Sequence, residues 1–265
     1  MAMESGNPVE PLVLRDTHEG VITLRLNRPL QFNALSEHML RALQAAFDDI
    51  ARDESVRCVI LGAEGKAFCA GHDLREMRGQ PDLAYYRALF AQCSVVMQAI
   101  QKLPVPVIAR VHGIATAAGC QLVASCDLAI ASLPARFAVS GINVGLFCST
   151  PSVALSRNVS TKRAFDLLVT GRFIDAETAA DWGLINEAVP EAELDAAVAR
   201  KVDAICSKSP TAIRYGKAMF YQQRQMVLAE AYAYAGDVMA RNMMDEDAGE
   251  GIDAFLQKRE PRWKP

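Results

Sequence analysis

Two runs of consecutive apolar residues, each opening into a loop of small residues, constrain this chain more than any other feature. Cys58-Val59-Ile60-Leu61 leads into a loop from Gly62 to Asp73, and Val107 to Val111 leads into another from Gly113 to Gly119. A strand without polar alternation is covered on both faces, the habit of parallel strands packed under helices. Each loop then opens a helix. A strand end feeding a helix start leaves backbone N–H groups unpaired and pointing outward. Two such loops facing each other would offer a pair of amide donors to a developing oxyanion. Tight strand–helix packing explains small residues equally well on spacing alone.

The remaining pattern agrees with an α/β domain. Leu12-Val13-Leu14 and Val21 to Leu26 read as strands joined at Glu19-Gly20, with Ile22, Leu24 and Leu26 alternating with polar neighbours. Ser36 is placed to cap a helix carrying Met39, Leu40, Leu43, Phe47 and Ile50 on one face. A second helix, roughly 84–103, ends at Pro104 and Pro106. Asp127 to Ala131 and Arg136 to Val139 read as short strands. Strand and helix therefore alternate through the first two-thirds. From about Pro190 the pattern is helical: Glu191 to Ile205, Pro210 to Gln222 and Met226 to Met244, with a basic, aromatic end from Phe255 to Pro265. The division expected is a core over residues 1–207 and a helical region over 208–265.

With 265 residues, 22% charged, and a net charge of −3, the chain has ordinary globular composition and no basic excess for nucleic acid. Its seven cysteines are odd in number, form no CxxC pair, and are expected as reduced core thiols. No metal site is expected. Met1 to Pro11 carries neither an apolar leader nor an arginine-rich one. No run is long and apolar enough to cross a bilayer. The expectation is a cytoplasmic protein without a membrane partner.

A longer set of motifs carries a resemblance. Asn27-Arg28-Pro29 is followed by Asn33-Ala34-Leu35, then by Lys66-Ala67-Phe68-Cys69-Ala70-Gly71-His72-Asp73-Leu74. Gly119-Cys120-Gln121-Leu122, Cys126-Asp127-Leu128-Ala129, Thr170 to Ala176, Trp182 to Asn186 and Ala254 to Arg259 continue the series. In this order and spacing the chain resembles the crotonase superfamily (the enoyl-CoA hydratase/isomerase family) along nearly its whole length. The resemblance implies a spiral of ββα turns, a C-terminal helical region that builds homotrimers or hexamers, and an acyl-CoA substrate. Coenzyme A enters as part of that substrate and no separate cofactor is implied. The amides of His72 and Ala118 are implied as oxyanion donors. Leu30, Gln31 and Phe32 are implied along the pantetheine and adenine path, with Ala70 nearby. Phe255 and Lys258 are implied at the nucleotide end.

The chain departs from its family at the acid–base positions. Hydratases of the family hold a water between two glutamates, one accepting a proton and one supplying it. The matching positions are Gln121 and Gly141, and the acid position of some family isomerases is Ser149. Hydration is therefore expected to be slow or absent. Isomerisation, decarboxylation and acyl-CoA binding without turnover stay open. His72 is a candidate for side-chain chemistry. Cys148 is a weak nucleophile candidate among apolar neighbours, and Asp73 and Asp127 read as structural. Tyr85, Tyr86, Phe90 and Met97 are expected over the acyl pocket or the core. Glutamate at both 121 and 141 is expected to bring hydration back.

Overall fold

The alternating hairpin forms where its sequence pattern puts it. In the computed structural model, which describes residues 10–264, β1 (Val13–His18) and β2 (Val21–Leu26) pair antiparallel, with Glu19 and Gly20 both at positive φ in the turn. The reading of Met1 to Pro11 as leaderless falls largely on residues 1–9, outside those described. After a 3-10 turn at Pro29–Gln31 comes α1 (Glu37–Ile50), whose Ser36 hydroxyl accepts from the Met39 amide at 3.2 Å. Such a cap is worth about 1 kcal/mol. Met39, Leu40, Leu43, Phe47 and Ile50 are its buried residues, the five that the helical spacing selects.

Three right-through turns of chain follow. The first is β3 (Cys58–Ala63), β4 (Ala67–Cys69), α2 (Leu74–Gly79) and α3 (Leu83–Lys102). The second is β5 (Val107–Val111), β6 (Ile114–Thr116) and α4 (Ala118–Ser125). The third is β7 (Leu128–Ser132), β8 (Arg136–Ala138), a 3-10 turn at Ser140–Val144, α5 (Ser149–Leu155) and α6 (Thr161–Thr170). A last, irregular turn contributes β9 (Ile174–Asp175), α7 (Ala176–Asp181) and β10 (Glu187–Val189). Each turn gives one strand to each of two sheets. The six-stranded sheet runs β1-β2-β3-β5-β7-β10 and the four-stranded sheet β4-β6-β8-β9. Pairing is parallel throughout both except for β1 with β2 and β8 with β9. This is the expected spiral of ββα turns.

The main core fills the space between the sheets and under α1 and α3, with Phe47, Phe68 and Phe137 fully enclosed. A smaller cluster of Cys58, Ile108, Ile130, Val189 and Leu194 lies on the other face of the large sheet, beneath α8 (Leu194–Cys206). Both faces of β3 and β5 are thus covered, which is why their sequences lack polar alternation. All seven cysteines are free thiols and all but Cys206 are buried. Burial holds Cys58, Cys69, Cys93 and Cys120 at pKa values of about 12.

Several boundaries differ from expectation. The small-residue loops contain β4 and β6, strands of three residues, too short for a period to register in sequence. Three helices, α5, α6 and α7, were not anticipated. The basic end also begins later than expected. After α9 (Pro210–Gln223) and α10 (Leu228–Met243), a helix α11 (Glu246–Gln257) is capped by Asp245 and includes Phe255. Gly249 and Gly251 had hidden it by lowering local helix propensity.

Helix α9 is fastened to the core by a buried ion pair. Lys217 Nζ donates to Asp127 Oδ2 at 2.6 Å and to the carbonyls of Ile100 and Val105 at 2.9 and 2.8 Å. The Tyr221 hydroxyl donates to Asp127 Oδ1 at 2.7 Å, and the Val107 amide to Oδ2 at 2.7 Å. Asp127 is therefore structural, as expected, but as the anchor of a C-terminal helix.

Candidate active site

The two small-residue loops meet. β4 and β6 are parallel neighbours, so the segments leaving them, residues 70–72 and 116–118, run side by side. A Cβ on Gly71 would sit 3.1 Å from the Thr116 carbonyl oxygen and 3.2 Å from the Ala118 nitrogen. A Cβ on Gly119 would collide with the Cys69 carbonyl. Glycine at both positions lets the backbones close to this distance.

The direction of the His72 amide follows from its bridge to Leu35. The Leu35 amide donates to the Gly71 carbonyl at 2.8 Å, and the Asp73 amide to the Leu35 carbonyl at 3.3 Å. In a parallel bridge of this kind the central residue turns its own N–H away from that partner. For His72 that is toward the Ala118 loop. Ala118 is the first residue of α4, so its N–H has no intrahelical acceptor. Neither amide finds an acceptor among the described residues.

Backbone strain sets the second amide. Ala117 has φ 51° and ψ −120°, a conformation that favours glycine. Its own amide is fixed by the Ala138 carbonyl at 3.0 Å. Strain of this kind costs roughly 1–3 kcal/mol and persists only where its surroundings impose it. Nothing in the sequence signals it, since alanine here reads as an ordinary small residue.

A cavity of about 300 Å³ opens at this point. Ala70, His72, Ala118, Gly141, Cys148 and Ser149 line it, together with Met77, Phe90 and the apolar turn Val144, Leu146 and Phe147. No Asp, Glu, Lys or Arg is among its lining residues. The sequence expectations for His72, Ala118, Gly141, Ser149 and Ala70 thus converge on one cavity. Gln121 does not reach it; its side chain lines a neighbouring space. Leu30, Gln31 and Phe32 form an exposed apolar turn beside it, and the Phe32 carbonyl accepts from the Ala70 amide at 3.0 Å. Phe255 and Lys258, at the end of α11, do not line the cavity.

Two side chains in the cavity carry titratable protons. His72 Nδ1 lies 3.3 Å from the Leu35 carbonyl, which can only accept, so Nδ1 holds the hydrogen and Nε2 is bare. Nε2 is buried without a partner, and the ring stands edge-on to Phe90 at 5.4 Å. Desolvation lowers the His72 pKa, so the ring is neutral near pH 7. The Cys148 thiol is pushed up by burial, although the Gly141 amide donates to its sulfur at 3.3 Å. Of the expected aromatic stripe, Phe90 lines the cavity, Tyr86 stacks on Phe90, and Met97 lies in the neighbouring space.

The expectation that two glutamates would bring hydration back meets an obstacle in the geometry at Gly141. A Cβ on Gly141 would lie 2.5 Å from the Leu146 carbonyl oxygen and 2.8 Å from Cys148 Sγ. The Leu146 amide also closes the turn onto the Gly141 carbonyl at 3.0 Å. A side chain at 141 requires this turn to move.

The anchoring of the loops comes from polar residues. Asn33, fully buried at φ 55°, accepts from the Arg28 amide and donates to the Glu64 and Ala67 carbonyls, each at 2.8 Å. Asp73 caps α2 and pairs with Arg28 at 3.2 Å. Among the described residues no group of three or more His, Cys, Asp or Glu is placed to hold a metal ion, and no helix is long and apolar enough to cross a membrane.

Known proteins resemble this chain in sequence and in fold. Residues 16–265 match the Enoyl-CoA hydratase/isomerase family. A crystal structure of an enoyl-CoA hydratase from Mycobacterium smegmatis is 61% identical, with a TM-score of 0.95 over 96% of this chain and 99% of that one. The human enoyl-CoA hydratase domain-containing protein 3 has a solved structure that is 44% identical, with a TM-score of 0.92 over 95% of this chain and 100% of that one. The Xenopus laevis protein of the same name is 44% identical over 96% of this chain and 86% of its own length. The Xenopus, rat, mouse and human proteins of that name are each named as mitochondrial, which overturns the cytoplasmic expectation. That expectation rested in part on residues 1–9, which lie outside those described. By fold, by motif and by relatives across nearly its full length, the chain belongs to the enoyl-CoA hydratase/isomerase family of the crotonase superfamily.

Proposed function

We propose that the chain processes an acyl-CoA thioester by holding its carbonyl oxygen between the amides of His72 and Ala118 and stabilising an enolate, without the two-glutamate hydration chemistry. The observation that carries this reading is a pair of backbone donors without acceptors among the described residues, beside a cavity whose lining contains no carboxylate. A donor of this kind contributes about 3 kcal/mol to an oxyanionic transition state. Two carboxylates would add roughly 10²–10⁴-fold through proton transfer. Here the proton-bearing side chains are a neutral His72 and a largely protonated Cys148. Decarboxylation generates an enolate without a strong base and suits this inventory best. Acyl-CoA binding without turnover is the reading from another class.

Coenzyme A is bound as part of the substrate in this reading, with exposed Leu30 and Phe32 covering its pantetheine arm. The region 208–265 carries Leu228, Tyr232, Met239, Phe255 and Leu256 as exposed large apolar side chains. That exposure is the ground for reading the chain as a homotrimer or a hexamer, whose assembly would cover these side chains and place Phe255 and Lys258 in a different setting from that of the single chain.

A panel of thioesters tests the proposal. Purified protein is incubated with crotonyl-CoA, a 3-enoyl-CoA and a malonyl-type CoA, and each product is measured by mass. Turnover of the malonyl type or the 3-enoyl type, with crotonyl-CoA unchanged, is expected. Rapid hydration of crotonyl-CoA would overturn the claim that the glutamate chemistry is lost.

A further inference from the structure

The corner between β6 and α4 is tied to the cavity wall by one pair of side chains. Thr116, the last residue of β6, places its hydroxyl oxygen 2.7 Å from that of Ser140, and either can donate. Ser140 opens the 3-10 turn and lines the thioester cavity. That turn is itself fixed. The Leu146 amide donates to the Gly141 carbonyl at 3.0 Å, and the Asn143 side-chain amide donates to the Gly171 carbonyl at 3.3 Å. Thr116 is thus bonded to a wall that is closed on itself.

Between Thr116 and Ala118 stands Ala117, at φ 51° and ψ −120°. The peptide joining Ala117 to Ala118 carries the second amide donor, and in a trans peptide the N–H points opposite the C=O. Its carbonyl accepts from the Gln121 amide at 3.1 Å. An L-residue in this conformation relaxes by turning about its own backbone unless it is held on both sides. On the C-terminal side the hold is that first bond of α4. On the N-terminal side it is the Ala138 carbonyl, which accepts from the Ala117 amide at 3.0 Å, together with the hydroxyl pair. A hydroxyl pair contributes free energy of the same order as backbone strain of this kind, so its loss can tip the corner. The Ala117 methyl also abuts Gly71, 2.9 Å from where a Cβ there would stand, so a turn at Ala117 alters the contact between the two loops.

We propose that Thr116 and Ser140 are positioning residues, whose hydroxyl pair holds Ala117 in its strained conformation and so aims the Ala118 amide at the thioester oxygen. The proposal rests on the thioester reading above and adds what aligns its second donor. Neither side chain touches the reacting atoms in this scheme.

The test is infrared difference spectroscopy of the full-length protein with hexanoyl-CoA carrying carbon-13 at its carbonyl, with affinity measured by calorimetry on the same samples. Two amide donors should move the carbonyl band of the bound thioester to lower frequency. Thr116→Val and Ser140→Ala are each expected to lose roughly half of that downshift, one donor of two, while still binding the thioester. The double variant should lose no more than either single one, because both remove the same bond. Thr116→Ser keeps the hydroxyl and should keep the native downshift. A full downshift in both Thr116→Val and Ser140→Ala would overturn the proposal. So would a Thr116→Ser variant that loses as much as Thr116→Val, since the methyl group would then be what matters. If Thr116→Val does not fold, Ser140→Ala decides alone. Native protein that fails to bind hexanoyl-CoA, or binds it with no downshift, would sink the thioester reading, and this one with it.

Discussion

Cys148 Sγ occupies the space that a side chain on Gly141 would need. The sulfur accepts the Gly141 amide at 3.3 Å and lies 2.8 Å from where a Cβ would stand. The turn from 141 to 148 is closed on itself, and the position that motif resemblance matches to a family glutamate has its side-chain space filled by a thiol.

Gln121→Glu with Gly141→Glu is therefore expected to produce no hydratase. The Leu146 carbonyl cannot yield as a flexible side chain would, so the turn must open. Overpacking of this kind costs typically 1–3 kcal/mol. The thermal midpoint should fall, and crotonyl-CoA absorbance should stay constant. A stable double variant that hydrates crotonyl-CoA would show that the turn opens freely.

Ala117→Gly should stabilise the fold. An L-residue at positive φ costs roughly 1–2 kcal/mol, against about 0.4–1 kcal/mol for the added freedom of glycine in the unfolded chain. The expected gain is roughly 0–1.6 kcal/mol, read from the urea midpoint at constant slope. Ala117→Val should lose stability, because a β-branched residue tolerates this conformation least.

His72 gives the stability a pH dependence below neutrality. Its folded pKa is depressed by burial, so the unfolded chain binds the proton more readily. The contribution is complete above the unfolded value of 6.5 and is lost as pH falls through the folded one. A single proton sets a limiting slope of about 1.4 kcal/mol per pH unit. His72→Gln should remove this component from urea titrations between neutral and mildly acid pH. An unchanged slope in the variant would assign the dependence to other groups.

How much of this was legible depended on the length scale of each signal. The capped helix at Ser36, the buried runs at Cys58 and Val107 and the cap at Asp73 were readable because each rests on local chemistry within a few residues. The meeting of His72 and Ala118 came from motif resemblance, since no local signal relates residues 46 positions apart. The blocked site at Gly141 was not readable at all. Its obstacle is the carbonyl of Leu146, and backbone atoms carry no identity in a sequence. Gln121 sat at its expected place on α4, but the turn of its side chain away from the thioester cavity depends on the packing of α4 against α3 and α5.

Lys217 and Asp127 should behave as a buried pair whose loss is asymmetric. Lys217→Met leaves Asp127 with Tyr221 and the Val107 amide but no counter-charge, and breaking such a pair costs about 3–5 kcal/mol. Asp127→Leu in the same chain should recover part of that loss, because the stranded charge disappears. A double-mutant cycle from denaturant melts measures the coupling. Additive losses would mean that α9 is held by its apolar contacts instead.

Ala118→Pro separates oxyanion stabilisation from thioester binding. Ala118 is the first residue of α4, where proline is tolerated because its missing N–H has no helical acceptor. The substitution deletes one proposed donor and puts the ring Cδ where the amide hydrogen pointed, so a modest loss of ground-state affinity accompanies it. If the thioester carbonyl is held there only as charge develops, kcat should fall by about 10²–10³-fold, the usual cost of losing one such donor. Affinity for a non-reacting acyl-CoA should change far less, because a ground-state carbonyl carries little charge. Both are measurable on one preparation, by single-turnover assay and by calorimetry, with the thermal midpoint as a check on folding. A folded variant that keeps its full rate would remove Ala118 from the chemistry and leave the His72 amide acting alone.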